Sequence, residues 1–146
     1  MEVTAVFCDH ASISEAGKLD IQGVFDELQA PGFPARQEKL VLAGVVHWDR
    51  DDKGQQPFRI DLTHPDGHEV YSVDGHSEVR PRPEPEPPAK SYLVLELDKV
   101  VFTTPGRYRV RARVKGREFA GPSLYLTRVA DQEERDERKA NVDIGR

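Results

Sequence analysis

The sequence predicts an all-β protein: a two-layer antiparallel β-sandwich of about eight strands, followed by a short charged C-terminal tail. Three observations predict it. Residues 106–115 (GRYRVRARVK) alternate strictly, with Tyr108, Val110, Ala112 and Val114 on one side and Arg107, Arg109, Arg111, Arg113 and Lys115 on the other. A period of two describes a strand with one dry face and one wet face. Apolar runs elsewhere are short and separated by Gly, Pro and Asp turn signals, the spacing of an immunoglobulin-like β-sandwich. Helical periodicity is absent as far as Val129.

Each element follows from local chemistry. Val3–Cys8 is the first apolar strand, and Glu15-Ala16-Gly17 turns the chain into Lys18–Phe25. Residues 29–38 contain two prolines and a glycine and read as a loop. Leu40–Trp48 is apolar on both faces, as a central strand between two layers must be. The charged turn Asp49–Gly54 leads to Phe58–Thr63, where Phe58, Ile60 and Leu62 face in and Arg59, Asp61 and Thr63 face out. Pro65-Asp66-Gly67 is a hairpin turn: proline presets φ and glycine tolerates positive φ. His68–Val73 returns. Tyr92–Phe102, Gly106–Lys115 and Arg117–Val129 complete the domain, which spans residues 1–129. Gly121-Pro122 inside the last run predicts a bulge or an edge, because proline cannot donate to a ladder.

Two segments stand apart. Residues 80–89 are a Pro-rich crossover between the two sheets; five of their residues are proline, which favours extended polyproline II. Residues 130–146 carry six acids and four bases and no apolar stripe, and are expected to be helical or disordered. Tyr108 opens a strand just after Pro105-Gly106. Immunoglobulin-like sandwiches place a tyrosine at such a crossing, its hydroxyl anchoring the corner. Trp48 shares parity with Leu40, Leu42 and Val46 and is expected in the core.

The bulk properties narrow the function classes. The chain has 146 residues, 32% of them charged, and a net charge of −5. That balance argues against a nucleic-acid binder, which carries a basic excess. No run approaches the length of a membrane span, and the start lacks a signal-peptide pattern. The single cysteine, Cys8, lies in an apolar strand and is expected to be a buried, inert thiol. These features point to the cytoplasm.

The segments Phe7-Cys8-Asp9-His10-Ala11, Gly17-Lys18-Leu19, Ile21-Gln22-Gly23-Val24-Phe25 and Pro105-Gly106-Arg107-Tyr108 together resemble a bacterial family of short stand-alone proteins of unknown function. The resemblance covers roughly residues 3–129 and consists of turn and packing signals. It implies a sandwich and brings no catalytic residues.

The candidate sites are two. Arg107, Arg109, Arg111, Arg113 and Lys115 form a basic row along one strand. Such a row needs acids from neighbouring strands, such as Glu96, Asp98, Asp61 or Glu118, or an anionic partner. His64 and His68 flank a turn with Asp66 at its tip and are weak metal candidates, since a zinc or copper site needs three or four convergent donors. Asp9-His10 reads as a strand-end cap, and no cofactor or catalytic motif is expected. The functional expectation is a non-catalytic interaction module that binds a protein partner or itself, with Leu124, Leu126 and Val129 offering a route to a symmetric dimer. The alternative is a small-anion or metal-binding protein or enzyme using the arginine row or the histidines.

Overall fold

A computed structural model describes residues 1–129; the expectation for the tail lies outside the described residues. Among the described residues, nine strands form two layers. They are β1 (Glu2–Ile13), β2 (Leu19–Phe25), β3 (Glu27–Ala30), β4 (Ala35–His47), β5 (Gly54–Thr63), β6 (Glu69–Val79), β7 (Lys90–Phe102), β8 (Gly106–Val114) and β9 (Arg117–Arg128). The first sheet has the order β2-β1-β4-β7 and the second β3-β9-β8-β5-β6. Among the described residues, no helix is long and apolar enough to cross a membrane.

The period-two pattern dictates the core. Phe7, Leu40, Leu42, Leu97, Val100 and Phe102 of the first sheet meet Ile60, Leu62, Tyr108, Val110, Leu124 and Leu126 of the second. A smaller cluster closes one end, where Trp48 packs with Val46, Val79 and Val114 and donates its indole N–H to Ser91 Oγ at 2.8 Å. Tyr108 is fully buried; its hydroxyl donates to the Thr104 carbonyl at 2.7 Å and accepts from the Thr104 amide at 3.3 Å. This is the corner that its place in the sequence predicts. Cys8 is buried against Val41 and Ala43, and burial, then the nearby Asp9, pushes its thiol pKa up.

Several expectations are corrected. The loop over 29–38 shrinks to residues 31–34, because β3 and the start of β4 occupy the rest. β3 pairs in parallel with β9, whereas every other ladder is antiparallel. The chain bends at Asp26, whose carbonyl accepts from Tyr125 N at 2.8 Å, and moves to the other sheet without reversing. β1 runs on to Ile13, so Asp9-His10 is mid-strand rather than a terminal cap. Asp9 lies over Gly23, whose φ is +70°; a Cβ there would sit 2.1 Å from Asp9 Oδ2. The Pro-rich segment does join β6 of one sheet to β7 of the other. It is not a straight strut, because a turn closed by Glu86 N and the Pro83 carbonyl at 3.0 Å folds it. Finally, Leu124 (0% exposed) and Leu126 (3%) lie in the core and Val129 is half-buried, so the two leucines cannot form a dimer contact. The parallel β3 covers β9 and makes it an interior strand.

Candidate functional site

The outer face of the second sheet holds the charged residues. Alternation along β8 buries Tyr108, Val110, Ala112 and Val114 and exposes Arg107, Arg109, Arg111 and Arg113. Lys115 leaves the row. It adopts φ +55° beside Gly116 at +72°, the left-handed pair that a two-residue β8–β9 turn requires. Its ammonium turns to the buried Asp52, which raises its pKa. Asp52 also accepts from the Asp49 amide at 2.8 Å. The basic row is therefore four arginines, with Lys115 a clamp on the β4–β5 turn.

Register decides which arginines meet acids. Arg113 lies opposite Glu118 and binds it at 2.8 Å. That hydrogen bond, and then the charge of Arg111, holds the Glu118 carboxyl below its ordinary value. Arg111 lies opposite Asp61 on β5, with 3.7 Å between their charged atoms. Asp61 is only 4% exposed, although its parity places it on the wet face. Arg59 Nε at 2.9 Å and Ser72 Oγ at 2.9 Å both donate to it, and their side chains cover it. Arg59 also holds Glu69 at 3.0 Å and Asp74 at 3.3 Å; the Glu69 bond is the leading cause of its raised pKa. Glu96 and Asp98 contribute nothing here, because β7 belongs to the other sheet; Glu96 pairs with Lys39 at 3.0 Å.

Arg107 and Arg109 differ from their neighbours. Arg107 donates to Ser123 Oγ at 2.7 Å and lies 6.0 Å from the Tyr125 ring centre. Among the described residues no carboxylate pairs with Arg107 or Arg109. Arg109 borders an open groove of about 540 Å³, walled also by Thr63, His64, Arg111, Glu118 and Phe119. The β8–β9 bulge adjoins this groove. The register slips between Arg109–Ser123 and Arg111–Ala120, so Gly121 and Pro122 together oppose Val110. A Cβ on Gly121 would approach Val110 Cγ1 to 2.7 Å, so the bulge needs glycine.

The β5–β6 hairpin forms the other wall. His64 N donates to the His68 carbonyl at 2.8 Å, and the two imidazoles stack with ring centres 4.4 Å apart. Asp66 sits between them, its Oδ1 3.1 Å from His64 Nδ1 and 2.5 Å from His68 Nδ1. The backbone amide of His68, more than the imidazoles, holds the Asp66 carboxyl below its ordinary value. The sequence brings two histidines together at this turn; the structure adds Asp66 as a third donor, and His76 is not part of the group. Sequence reading missed the burial of Asp61, the three-acid hub at Arg59 and the Lys115–Asp52 clamp. The Lys115-Gly116 dipeptide ahead of the last strand was the one local signal for the clamp.

No curated protein matches the chain. Residues 3–127 match a family of unknown function (DUF6941), and the chain belongs to that family.

Proposed function

We propose that this chain is a non-catalytic interaction module that docks an acidic, extended segment of a protein partner on the outer face of the second sheet, with Arg107, Arg109 and Arg111 as the cationic contacts. One observation carries the reading: Arg107 and Arg109 are exposed, adjacent on one face and unmatched by any acid among the described residues. Alternate residues of a strand recur every ~6.6–7 Å. Carboxylates on alternate residues of an extended partner therefore fall in step with the row. The guanidinium fork suits carboxylates, which it can bind through two parallel hydrogen bonds. The nearby hydroxyls already serve the fold, since Thr63 Oγ1 donates to the Arg109 carbonyl and Ser123 accepts from Arg107. Another protein is favoured over a second copy as the partner, since Leu124 and Leu126, two of the three residues expected to form a symmetric contact, are spent in the core. A cytoplasmic setting belongs to the proposal and is supported by a lone, buried cysteine.

The test is fluorescence anisotropy with a labelled peptide of alternating glutamate and threonine. Wild type should bind, and binding should weaken as salt rises. Arg107→Gln with Arg109→Gln should weaken it about tenfold, while Arg36→Gln on the opposite sheet should not. No binding by wild type, or equal binding by the double variant, overturns the proposal. A second reading, a small-anion or metal-binding protein, is favoured by one observation, the convergence of His64, Asp66 and His68.

A further inference from the structure

We propose that the tip of the β5–β6 hairpin is a divalent transition-metal site whose ligands are His64 Nδ1, the Asp66 carboxylate and His68 Nδ1. The proposal deepens the second reading and is independent of the arginine contacts. The donor atoms of the three residues all lie within 4.8 Å of one another. Around a tetrahedral ion with bonds of about 2.0–2.1 Å, neighbouring donors stand about 3.3 Å apart. His64 Nδ1 and Asp66 Oδ1, at 3.1 Å, are already at nearly that spacing. His68 Nδ1, at 2.5 Å from Asp66, has to swing out by less than about 1 Å. The side chains that must adjust are the exposed ones, His68 at 58% and Asp66 at 61%; His64, at 11%, is fixed.

The fixed ligand is held in the tautomer that binding requires. His64 Nδ1 accepts from the Asp66 amide at 3.1 Å, so its lone pair points toward the tip. The proton is then on Nε2, which lies 3.1 Å from the hydroxyls of both Thr103 and Thr104. An imidazole that donates its outer N–H to a polar neighbour is the usual setting of a metal-ligating histidine. Thr104 is clamped by the Tyr108 hydroxyl from both its carbonyl and its amide. The Tyr108 ring also stands edge-on to the His64 ring, 5.4 Å away at 79°. The buried corner thus positions the ligand, with Thr103 and Thr104 as positioning residues. On metal binding, the ion replaces the Asp66 amide at His64 Nδ1.

The donor set selects the metal. Two imidazoles and one carboxylate suit zinc, cobalt or nickel; magnesium and calcium prefer all-oxygen shells. Three protein ligands leave a coordination position for water or a small anion. His64 borders the same groove as Arg109 and Arg111.

The experiment uses the full chain, tag-free and stripped of metal with chelator. Zinc binding is followed by calorimetry and cobalt binding by visible absorption. Wild type should take up zinc stoichiometrically and give a cobalt absorption band. His68→Ala and Asp66→Asn, both on the exposed tip, should lose both signals, with folding checked by circular dichroism. Thr103→Val with Thr104→Val should weaken zinc about tenfold while keeping the cobalt band. His10→Ala and His76→Ala should bind as wild type does. Absence of zinc uptake by wild type, or uptake that survives His68→Ala or disappears with His10→Ala or His76→Ala, overturns the site.

Discussion

The two ends of the outer face of the second sheet carry the same kind of residue in opposite states. At the β5–β6 end a single arginine, Arg59, faces three acids, Asp61, Glu69 and Asp74. At the β8–β9 end two arginines, Arg107 and Arg109, face none among the described residues. At the first end the arginine is fully matched by acids and acts as structure. The second carries surplus charge, which costs little in solvent and is available to a partner. Overall net charge, −5, hides this division. Charge becomes a binding surface only where register leaves it unmatched.

The comparison is broken most strongly at Asp61. Asp61→Ala leaves Arg59, Arg111 and Ser72 without their shared acceptor and should destabilise the fold by about 2–3 kcal/mol. Urea unfolding measures it. A loss no larger than that of an exposed acid such as Asp74 would show that the hub is incidental.

A smaller effect is expected at the corner. Tyr108→Phe removes the hydroxyl bonded to both backbone groups of Thr104 and should cost about 1–2 kcal/mol. Its consequence should also reach the hairpin, since His64 leans on Thr104. An unchanged melting temperature would remove Tyr108 from the corner role.

Arg113 marks the boundary between the two ends, and pH sharpens it. The Glu118 carboxyl is held below its ordinary value in the fold, first by the hydrogen bond from Arg113. A lowered carboxylate pKa stabilises the fold above the unfolded value, and the gain is lost as pH falls through the folded value. Arg113→Gln should therefore be slightly less stable than wild type at neutral pH, and the gap should close as pH falls through the folded value of Glu118. A gap that persists in acid would assign the effect to packing of the arginine stem. The smallest stability effect belongs to Arg107→Gln with Arg109→Gln: a melting temperature equal to wild type, with the whole change in peptide binding.

Much of the fold was legible because it rests on local rules. The Gly106–Val114 alternation specified a half-buried strand whatever its neighbours, and Pro105-Gly106 before Tyr108 announced the corner. Gly121-Pro122 announced the bulge. The arginine row and the histidine pair were legible for the same reason, one as a strand face and the other as the two mouths of a hairpin. Lys115 was misplaced because it was read as strand when its glycine neighbour makes it turn. β3 was missed because four residues beside a Pro-Gly loop carry too little pattern to read as a strand.

What the sequence determined by itself is which residues flee water and where the chain can turn, since both depend on side chains a few positions apart. Tertiary structure alone decided which strands became neighbours: that Asp61 lies under Arg59 and Arg111, that Glu96 serves Lys39, and that Leu124 and Leu126 fill the core. The physical reason is reach. An ion pair or a shared ligand site needs atoms within a few ångströms. That closeness is set by strand order and register between segments distant in the chain, which no local pattern encodes.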